Sequence, residues 1–314
     1  MQPQVFIDGA AGTTGLEIAQ RLAGRADLQL VRLAEHDRKN AVARARALNE
    51  ADLVVLCLPD DAAREAVTLI TNPDVRVLDA SSAHRTAEGW AYGFAEIAPK
   101  QRGQIAAARR VSNPGCYPTG FLGLVAPLVR AGLLPADFPL TVNAVSGYSG
   151  GGRAMIEEFE DAGSPRNVKT VVRTYGLTQA HKHLPEMQKH AGLAHPPVFS
   201  PSVGRYFRGM LVDVPLPLWA LPGRPSIGAL HAALTSAYAG EDLVKVVPLA
   251  ASHDLAALDA ERLKGTDRME LFVFGNDNAA RLIAVLDNLG KGASGAAVQN
   301  LNLMLGLPES AGLT

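Results

Sequence analysis

The first two dozen residues constrain the fold more than any other stretch of the chain. Val5-Phe6-Ile7-Asp8 has the length and apolar character of a short buried strand. It runs directly into Gly9-Ala10-Ala11-Gly12-Thr13-Thr14-Gly15, and a helical pattern follows from Leu16 to Leu22. A strand that turns through closely spaced glycines into a helix is how an α/β fold begins. The next segments keep the alternation. A strand fits residues 28–33 and a helix residues 40–49. Leu53-Val54-Val55-Leu56-Cys57-Leu58 is a continuous apolar run, as expected of a parallel strand covered on both faces. Pro59 ends that run, Asp60 or Asp61 is placed to cap the next helix, and residues 75–79 read as a further strand. Strand and helix at this spacing predict a doubly wound parallel sheet.

Beyond residue 115 the texture changes. Strand-like runs at 140–145, 168–172, 209–214, 244–249 and 271–274 lie farther apart and often follow one another. Residues 281–287 add another, and Gly290-Lys291-Gly292 leads into a last helix over about residues 293–305. The expected organisation is therefore a Rossmann-type domain over residues 1–115, completed by a C-terminal helix over residues 291–314. An α+β domain with a mixed sheet fills residues 116–290. A chain of 314 residues has room for two such cores. It shows no internal repeat, low-complexity tract or long linker.

Bulk properties exclude several classes. The formal charge is −1 and the Lys and Arg residues are scattered, so the basic footprint of a nucleic-acid binder is missing. No apolar run reaches the roughly 18 residues of a membrane span. The stretch from Met1 to Ile7 has no basic n-region, so a signal peptide is not expected. Two cysteines, Cys57 and Cys116, are too few for a disulfide framework and suit a reducing compartment. The expectation is a soluble cytoplasmic protein.

Gly9, Gly12 and Gly15 are spaced three and three, which is not G-x-G-x-x-G. Their context is still that of a dinucleotide loop: strand in, helix out. Glycines there permit a tight turn and close approach of a pyrophosphate, whose charge meets the helix N-terminus. Thr13 and Thr14 add hydroxyl donors. The plainer reading is a turn needed only for helix–strand packing. Glu35, 20 residues past Gly15, stands about where an acid holds an NAD ribose. Arg32, Arg38 and Lys39 surround the same turn and could hold a 2′-phosphate. These residues leave NAD and NADP equally open.

The chemistry concentrates in Ser112-Asn113-Pro114-Gly115-Cys116-Tyr117-Pro118-Thr119-Gly120. Cys116 lies on a Pro-Gly turn before an apolar stretch that can form a buried helix despite Pro127. A thiol at a helix N-terminus feels the positive end of the backbone dipole, which favours its thiolate. Cys57, mid-run between Leu56 and Leu58, reads as a small core residue. A nucleophilic thiol needs a proton-transfer partner. His181 and His183 stand out in Gln179-Ala180-His181-Lys182-His183-Leu184-Pro185-Glu186-Met187. His183, Glu186 and His190 could share one helical side, but no cysteine is near and the spacing is not H-E-x-x-H, so no metal is expected. One imidazole as acid/base, with Glu186 as orienter or substrate contact, fits better. Ser146-Gly147-Tyr148-Ser149-Gly150-Gly151-Gly152-Arg153 follows a strand, and its amides could bind an oxyanion or carboxylate. Asp79-Ala80-Ser81-Ser82-Ala83-His84-Arg85 lies past a strand's carboxyl end, where open α/β sheets bind ligands, which makes Arg85 a candidate anion contact.

A dinucleotide loop and an activated thiol together suit acyl transfer onto sulfur followed by hydride transfer. With these motifs in this order, and with Asp287-Asn288-Leu289-Gly290-Lys291-Gly292-Ala293, the chain resembles the N-acetyl-γ-glutamyl-phosphate reductases of the semialdehyde-dehydrogenase superfamily. The short segment between Arg85 and Asn113 looks like that family's compact branch. Aspartate-semialdehyde dehydrogenases place Asn before the nucleophile, whereas Gly115 stands there in this chain. The resemblance implies NADPH-dependent reduction of N-acetylglutamyl 5-phosphate to the 5-semialdehyde, in arginine biosynthesis, through a Cys116 thioester. It also implies a second domain that carries catalysis, substrate binding and self-association. His181 is the expected acid/base, with His183 close behind. Arg85, Ser146, Gly147, Tyr175, His183 and Glu186 fall where the family holds substrate. Gly9, Gly12, Thr13, Thr14, Gly15, Arg38, Ser81 and Asn288 would meet NADP(H). Backbone donors near Cys116 and Gly147 are candidates for stabilising the tetrahedral oxyanions. The expected partners are a small acyl phosphate and further copies of the chain, with no nucleic acid and no membrane. Rival readings are an aspartyl-phosphate or carrier-protein substrate, a catalytically silent nucleotide-binding regulator, and a cysteine hydrolase.

Overall fold

The computed structural model describes residues 2–37 and 40–314. From the N-terminus come β1 (Gln4–Asp8), α1 (Thr13–Leu22), β2 (Gln29–Val31), α2 (Ala41–Glu50), β3 (Leu53–Leu56) and α3 (Asp60–Leu69). They are followed by β4 (Arg76–Asp79), β5 (Ala91–Tyr92), α4 (Gln101–Ala107) and β6 (Arg110–Ser112). The strands form one sheet in the order β2-β1-β3-β4-β6-β5, and every pairing in it is parallel. Alternation along the strands divides the core. Val5, Ile7, Leu53, Val55 and Leu78 pack with Ile18, Leu22 and Ile105. Phe6, Val54, Leu56 and Val77 pack with Leu48, Ala63 and Ala66 of α2 and α3. Burial of both faces explains the unbroken apolar run at β3.

The remaining elements are α5 (Cys116–Arg130), β7 (Thr141–Gly147), α6 (Gly152–Glu160), β8 (Val172–Thr174), α7 (Leu184–Ala191), β9 (Val198–Gly204) and β10 (Met210–Pro217). Next are α8 (Ile227–Ala237), β11 (Val244–Val246), α9 (Leu249–His253), β12 (Met269–Gly275) and β13 (Ala279–Leu286). Their strands make a seven-stranded mixed sheet in the order β11-β12-β13-β10-β7-β9-β8. A π-helical turn over Gly290–Ser294 then leads into α10 (Gly295–Leu305). The contacts define two compact units. One holds the chain through Ala95 with Lys100–Pro114 and Ala293–Thr314; the other holds Glu96–Pro99 with Gly115–Gly292. Within the first, Ala297, Val298, Leu301 and Met304 of α10 join the core on the α1 side of the sheet.

Several expected boundaries move for local reasons. Pro59, not an aspartate, takes the cap position of α3, because Asp60 accepts the Ser82 amide and hydroxyl at 3.0 and 2.7 Å. The strand expected over 168–172 begins at Val172, and Pro248 cuts the run at 244–249 into β11 and the short α9. Strand β9, with Pro201 at its centre, was not anticipated.

Helix α5 has twelve of its fifteen residues buried, so its backbone must lie close to its neighbours. A Cβ on Gly120 would stand 2.7 Å from Val212 of β10, and one on Gly123 would stand 2.6 Å from Met269 of β12. Pro127 interrupts the helical ladder by withholding the N–H that Gly123 O would accept. The Tyr238 hydroxyl donates to that carbonyl at 2.8 Å, which satisfies a buried acceptor and lets the helix continue. Among the described residues, no helix is long and apolar enough to cross a membrane.

Candidate active site

Cys116 is the first residue of α5 and Gly115 is its N-cap. The Gly115 N–H donates to Glu186 Oε1 at 2.8 Å, and Glu186 itself is 1% exposed in the first turn of α7. That bond ties the turn carrying the thiol to the helix that follows His183. It also removes the Gly115 amide from the donors available to an oxyanion. Pro118 has no N–H, so the first turn offers the amides of Cys116 and Tyr117.

Around this turn, ring contacts gather residues from three more segments. The His181 ring centroid lies 4.7 Å from His183, 5.1 Å from Phe199 of β9, 5.9 Å from Tyr175 and 6.4 Å from Tyr117. The Tyr175 hydroxyl donates to Tyr117 Oη at 3.0 Å, and Tyr117 donates to Ser202 O at 3.3 Å. Burial, with the neighbouring Tyr175 and Cys116, pushes the Tyr117 phenol well above its ordinary range. Burial likewise pushes Tyr175 up to about 12. Both phenols are therefore neutral hydrogen-bonding groups near neutral pH.

The His183 amide donates to His181 Nδ1 at 3.2 Å. An Nδ1 that accepts a backbone N–H leaves the proton of the neutral ring on Nε2. His181 thus presents an N–H donor, suited to an oxygen that gains negative charge. His183 is 6% exposed and caps α7. The two histidines thus differ in geometry: one accepts a backbone amide at Nδ1 and the other caps a helix.

Ser146 and Gly147 end β7. Ser146 is 2% exposed, and its hydroxyl donates to Gly147 O at 3.1 Å. Three of the loop amides expected to bind an anion are committed elsewhere. Gly147, Tyr148 and Ser149 donate to the carbonyls of Gly209, Tyr206 and Phe207 at 2.9, 2.9 and 3.0 Å. Asn288 is 1% exposed; it accepts the Gly209 amide at 2.8 Å and donates to Ser149 Oγ at 2.9 Å, so it fastens these loops together.

The other unit carries the glycine loop. Gly9 has φ of +90°, and a Cβ there would lie 2.2 Å from Cys57 O. One on Gly15 would lie 2.5 Å from Gly9 O. Gly12 caps α1 and donates to Gly9 O at 3.1 Å, and Thr13 and Thr14 open the helix. Gly9 and Gly15 leave no room for a side chain, and the loop backbone faces a cleft of about 810 Å3 lined by Asp8, Gly9, Ala10, Arg32, Leu33, Arg44 and Leu58 among others. The cleft and the helix N-terminus fit a dinucleotide. Arg32 directly follows β2, while Arg44 of α2 reaches Asp8 Oδ2 at 2.8 Å. Arg38 and Lys39 lie outside the described residues, as does the Glu35 side chain.

Past β4, Asp79 is fully buried and accepts the Ser81 amide and hydroxyl, each at 2.8 Å, and His84 Nδ1 at 2.6 Å. Ser81 Oγ also accepts the Ala83 amide at 3.1 Å. The Arg85 guanidinium, 9% exposed for the residue, donates to Asn113 O at 3.0 Å and Ala80 O at 3.2 Å. Cys116, Tyr175, His181, His183, Glu186, Ser146, Gly147 and Asn288 thus belong to one unit, and the glycine loop, Ser81 and Arg85 to the other. Tyr117 is a site residue that sequence reasoning misses, although its place beside the nucleophile is a usable signal. Among the described residues, no cluster of His, Cys, Asp and Glu could hold a metal ion.

Residues 4–105 match the family described as "Semialdehyde dehydrogenase, NAD binding domain", and residues 116–288 match "Semialdehyde dehydrogenase, dimerisation domain". The class is therefore that of the semialdehyde dehydrogenases. The chain is 54% identical to N-acetyl-gamma-glutamyl-phosphate reductase 2 of a Nostoc species, over 99% of both chains. It is 56% identical to N-acetyl-gamma-glutamyl-phosphate reductase of Brucella anthropi, over 98% of this chain and 99% of that one. The chain belongs to the semialdehyde dehydrogenase family and, within it, to the N-acetyl-gamma-glutamyl-phosphate reductases. Aspartate semialdehyde dehydrogenase II of Vibrio cholerae shares the fold, with a TM-score of 0.73 at 15% identity, over 97% of this chain and 98% of that one.

Proposed function

We propose that the protein reduces N-acetyl-L-glutamyl 5-phosphate to N-acetyl-L-glutamate 5-semialdehyde with NADPH, releasing phosphate, as a cytoplasmic step of arginine biosynthesis. The observation that carries the reading is the turn at Cys116. A thiol opens a fifteen-residue helix, its preceding amide is held by a buried carboxylate, and a histidine presenting Nε2–H lies in the same unit. Whole-length identity of 54–56% to named reductases supports the substrate.

In this reading the Cys116 thiolate, favoured by the helix N-terminus, attacks the carbonyl carbon of the acyl phosphate. The carbon–oxygen bond to phosphate breaks, phosphate leaves with its electron pair, and a thioester to Sγ remains. A nicotinamide, when bound, would supply the hydride that reduces the thioester carbonyl. His181 donates a hydrogen bond from Nε2 to the oxygen that gains charge, which keeps that charge until the C=O bond re-forms. The Cys116 and Tyr117 amides add backbone donors. Collapse breaks the carbon–sulfur bond and returns the thiolate as the aldehyde leaves. Tyr175, Tyr117, Ser146 and Glu186 shape the substrate side; Gly9, Gly12 and Gly15 let the pyrophosphate approach α1, and Arg32 and Arg44 favour a 2′-phosphate. The dimerisation domain matched by residues 116–288 supports a homo-oligomer, which light scattering would test.

The direct assay runs in reverse: phosphate-dependent reduction of NADP+ with the semialdehyde. Turnover that does not require phosphate, or a preference for aspartate semialdehyde, would overturn the reading.

A further inference from the structure

The Asp287–Gly292 segment takes no part in the mechanism above, yet its two glycines leave no room for a side chain. Asp287 is fully buried: Oδ1 accepts the Leu289 and Gly290 amides at 2.8 and 3.1 Å, and Oδ2 accepts the Gly265 amide and pairs with Arg208, each at 2.6 Å. Its carbonyl accepts the Gly292 amide at 3.0 Å. Gly290 lies so near the 266 carbonyl that a Cβ would be 2.0 Å from Thr266 O. Between the two glycines, Lys291 is 2% exposed and pairs with Glu96 Oε1 at 2.7 Å. A buried ion pair contributes little net stability, so its value to a fold lies elsewhere. At the end of this braced turn, a Cβ on Gly292 would stand 2.9 Å from Cys116 Cβ and 3.3 Å from its Cα.

We infer that Gly292 is a positioning residue for the nucleophile: the Gly-Lys-Gly turn forms a rigid wall against Cys116, and its bare Cα sets where the thiol stands. The inference rests on the proposed thioester reaction. The turn is π-helical, a form that recurs at functional sites because it displaces backbone from the regular ladder. Its neighbours give it nowhere to retreat. The Asp287 carbonyl would lie 3.1 Å from a Cβ on Gly292, the Thr266 carbonyl closes on Gly290, and Lys291 is held by Glu96. A methyl group at 292 therefore moves Cys116 rather than the turn.

The test compares Gly292→Ala with the wild type in the reverse assay, alongside the pH dependence of iodoacetamide inactivation and NADP+ binding by fluorescence. A displacement near 1 Å at a reacting atom costs about 100-fold in rate. The expected result is a kcat lowered by that order, with the KM for semialdehyde, the alkylation midpoint and the NADP+ affinity all near wild type. A merely structural role would lower alkylation and NADP+ binding together. A folded variant with wild-type kcat overturns the inference, and so does a kcat loss explained by a shifted alkylation midpoint. If Gly292→Ala does not fold, Lys291→Met combined with Glu96→Leu decides. It removes both buried charges and keeps the glycine. A lowered kcat with an unchanged alkylation midpoint supports the wall, and an unchanged kcat overturns it. Absence of phosphate-dependent turnover in the wild type would instead refute the proposed function.

Discussion

Cys57 and Cys116 are the only cysteines of the chain, and each follows a glycine-bearing turn or meets one, yet their surroundings are opposite. Cys57 directly follows β3; its amide donates to Asp8 O at 2.8 Å and its carbonyl backs the Gly9 turn. Desolvation, then the charges of Asp79 and Asp8, push its thiol up to about 12. Cys116 begins a helix in the company of imidazoles and phenols. The first cysteine is a spacer whose backbone shapes the nucleotide loop. The second presents sulfur to a dipole that stabilises its anion. Reactivity belongs to the turn and not to the residue type.

The largest effect should come from exchanging the two thiols' fates. Cys116→Ser is expected to lower kcat by about 10⁴-fold or more, since the nucleophile acts as a unit with its partners. Cys57→Ala should leave turnover near wild type. Mass spectrometry after brief alkylation at neutral pH should find the label on Cys116 alone. Label on Cys57 in the folded protein would break the comparison.

Next in size is the carboxylate that holds the Cys116 turn. Glu186→Ala leaves the Gly115 amide unpaired in a buried site and frees the turn, and a loss of about 10²-fold in kcat is expected. Glu186→Gln keeps an oxygen acceptor for Gly115 and should recover most of that loss. If Gln instead raises KM and spares kcat, Glu186 acts through its charge on substrate. Cys57 is held instead by its backbone, whose amide donates to Asp8 O at 2.8 Å just past β3.

Much of this is legible in the sequence. The strand–glycine–helix opening is plain because periodicity coincides with a turn that requires glycine at Gly9 and Gly15. Cys116 was legible because Pro114-Gly115 punctuates an apolar helix. The roles of Gly115 and Gly292 were not, because each depends on a contact far along the chain, from Glu186 in one case and to Cys116 in the other. The same holds for the amides of Gly147–Ser149. A glycine-rich loop looks like an anion cradle until the 206–209 carbonyls are found opposite it. The missing strand β9 reflects Pro201, which reads as a breaker but lies between β7 and β8 in the sheet.

A smaller effect sharpens the helix itself. Tyr238→Phe withdraws the hydroxyl that replaces the Pro127 amide at Gly123 O. A buried acceptor left without its donor costs about 1–3 kcal/mol. Urea unfolding should read that loss, while kcat changes little because Gly123 lies seven residues, about two turns, along α5 from Cys116. Combining it with Pro127→Ala should return most of the stability, since the restored N–H satisfies the same carbonyl. Failure of the double variant to recover would mean that Tyr238 contributes by packing alone.

The smallest effect separates the two cysteines by pH. A thiol raised from an ordinary 9.0 to about 12 in the folded state keeps its proton where the unfolded chain has lost it. Its contribution to stability is therefore complete below pH 9 and is lost as pH rises toward 12. Tyrosines such as Tyr175, raised from 10.0 to about 12, begin the same loss one unit later. The interval from 9 to 10 thus reports mainly on the cysteines. In that interval the urea midpoint of the wild type should fall more steeply than that of Cys57→Ala. Equal slopes would mean that Cys57 ionises as freely folded as unfolded, and the contrast between a sheltered thiol and a presented one would rest on Cys116 alone.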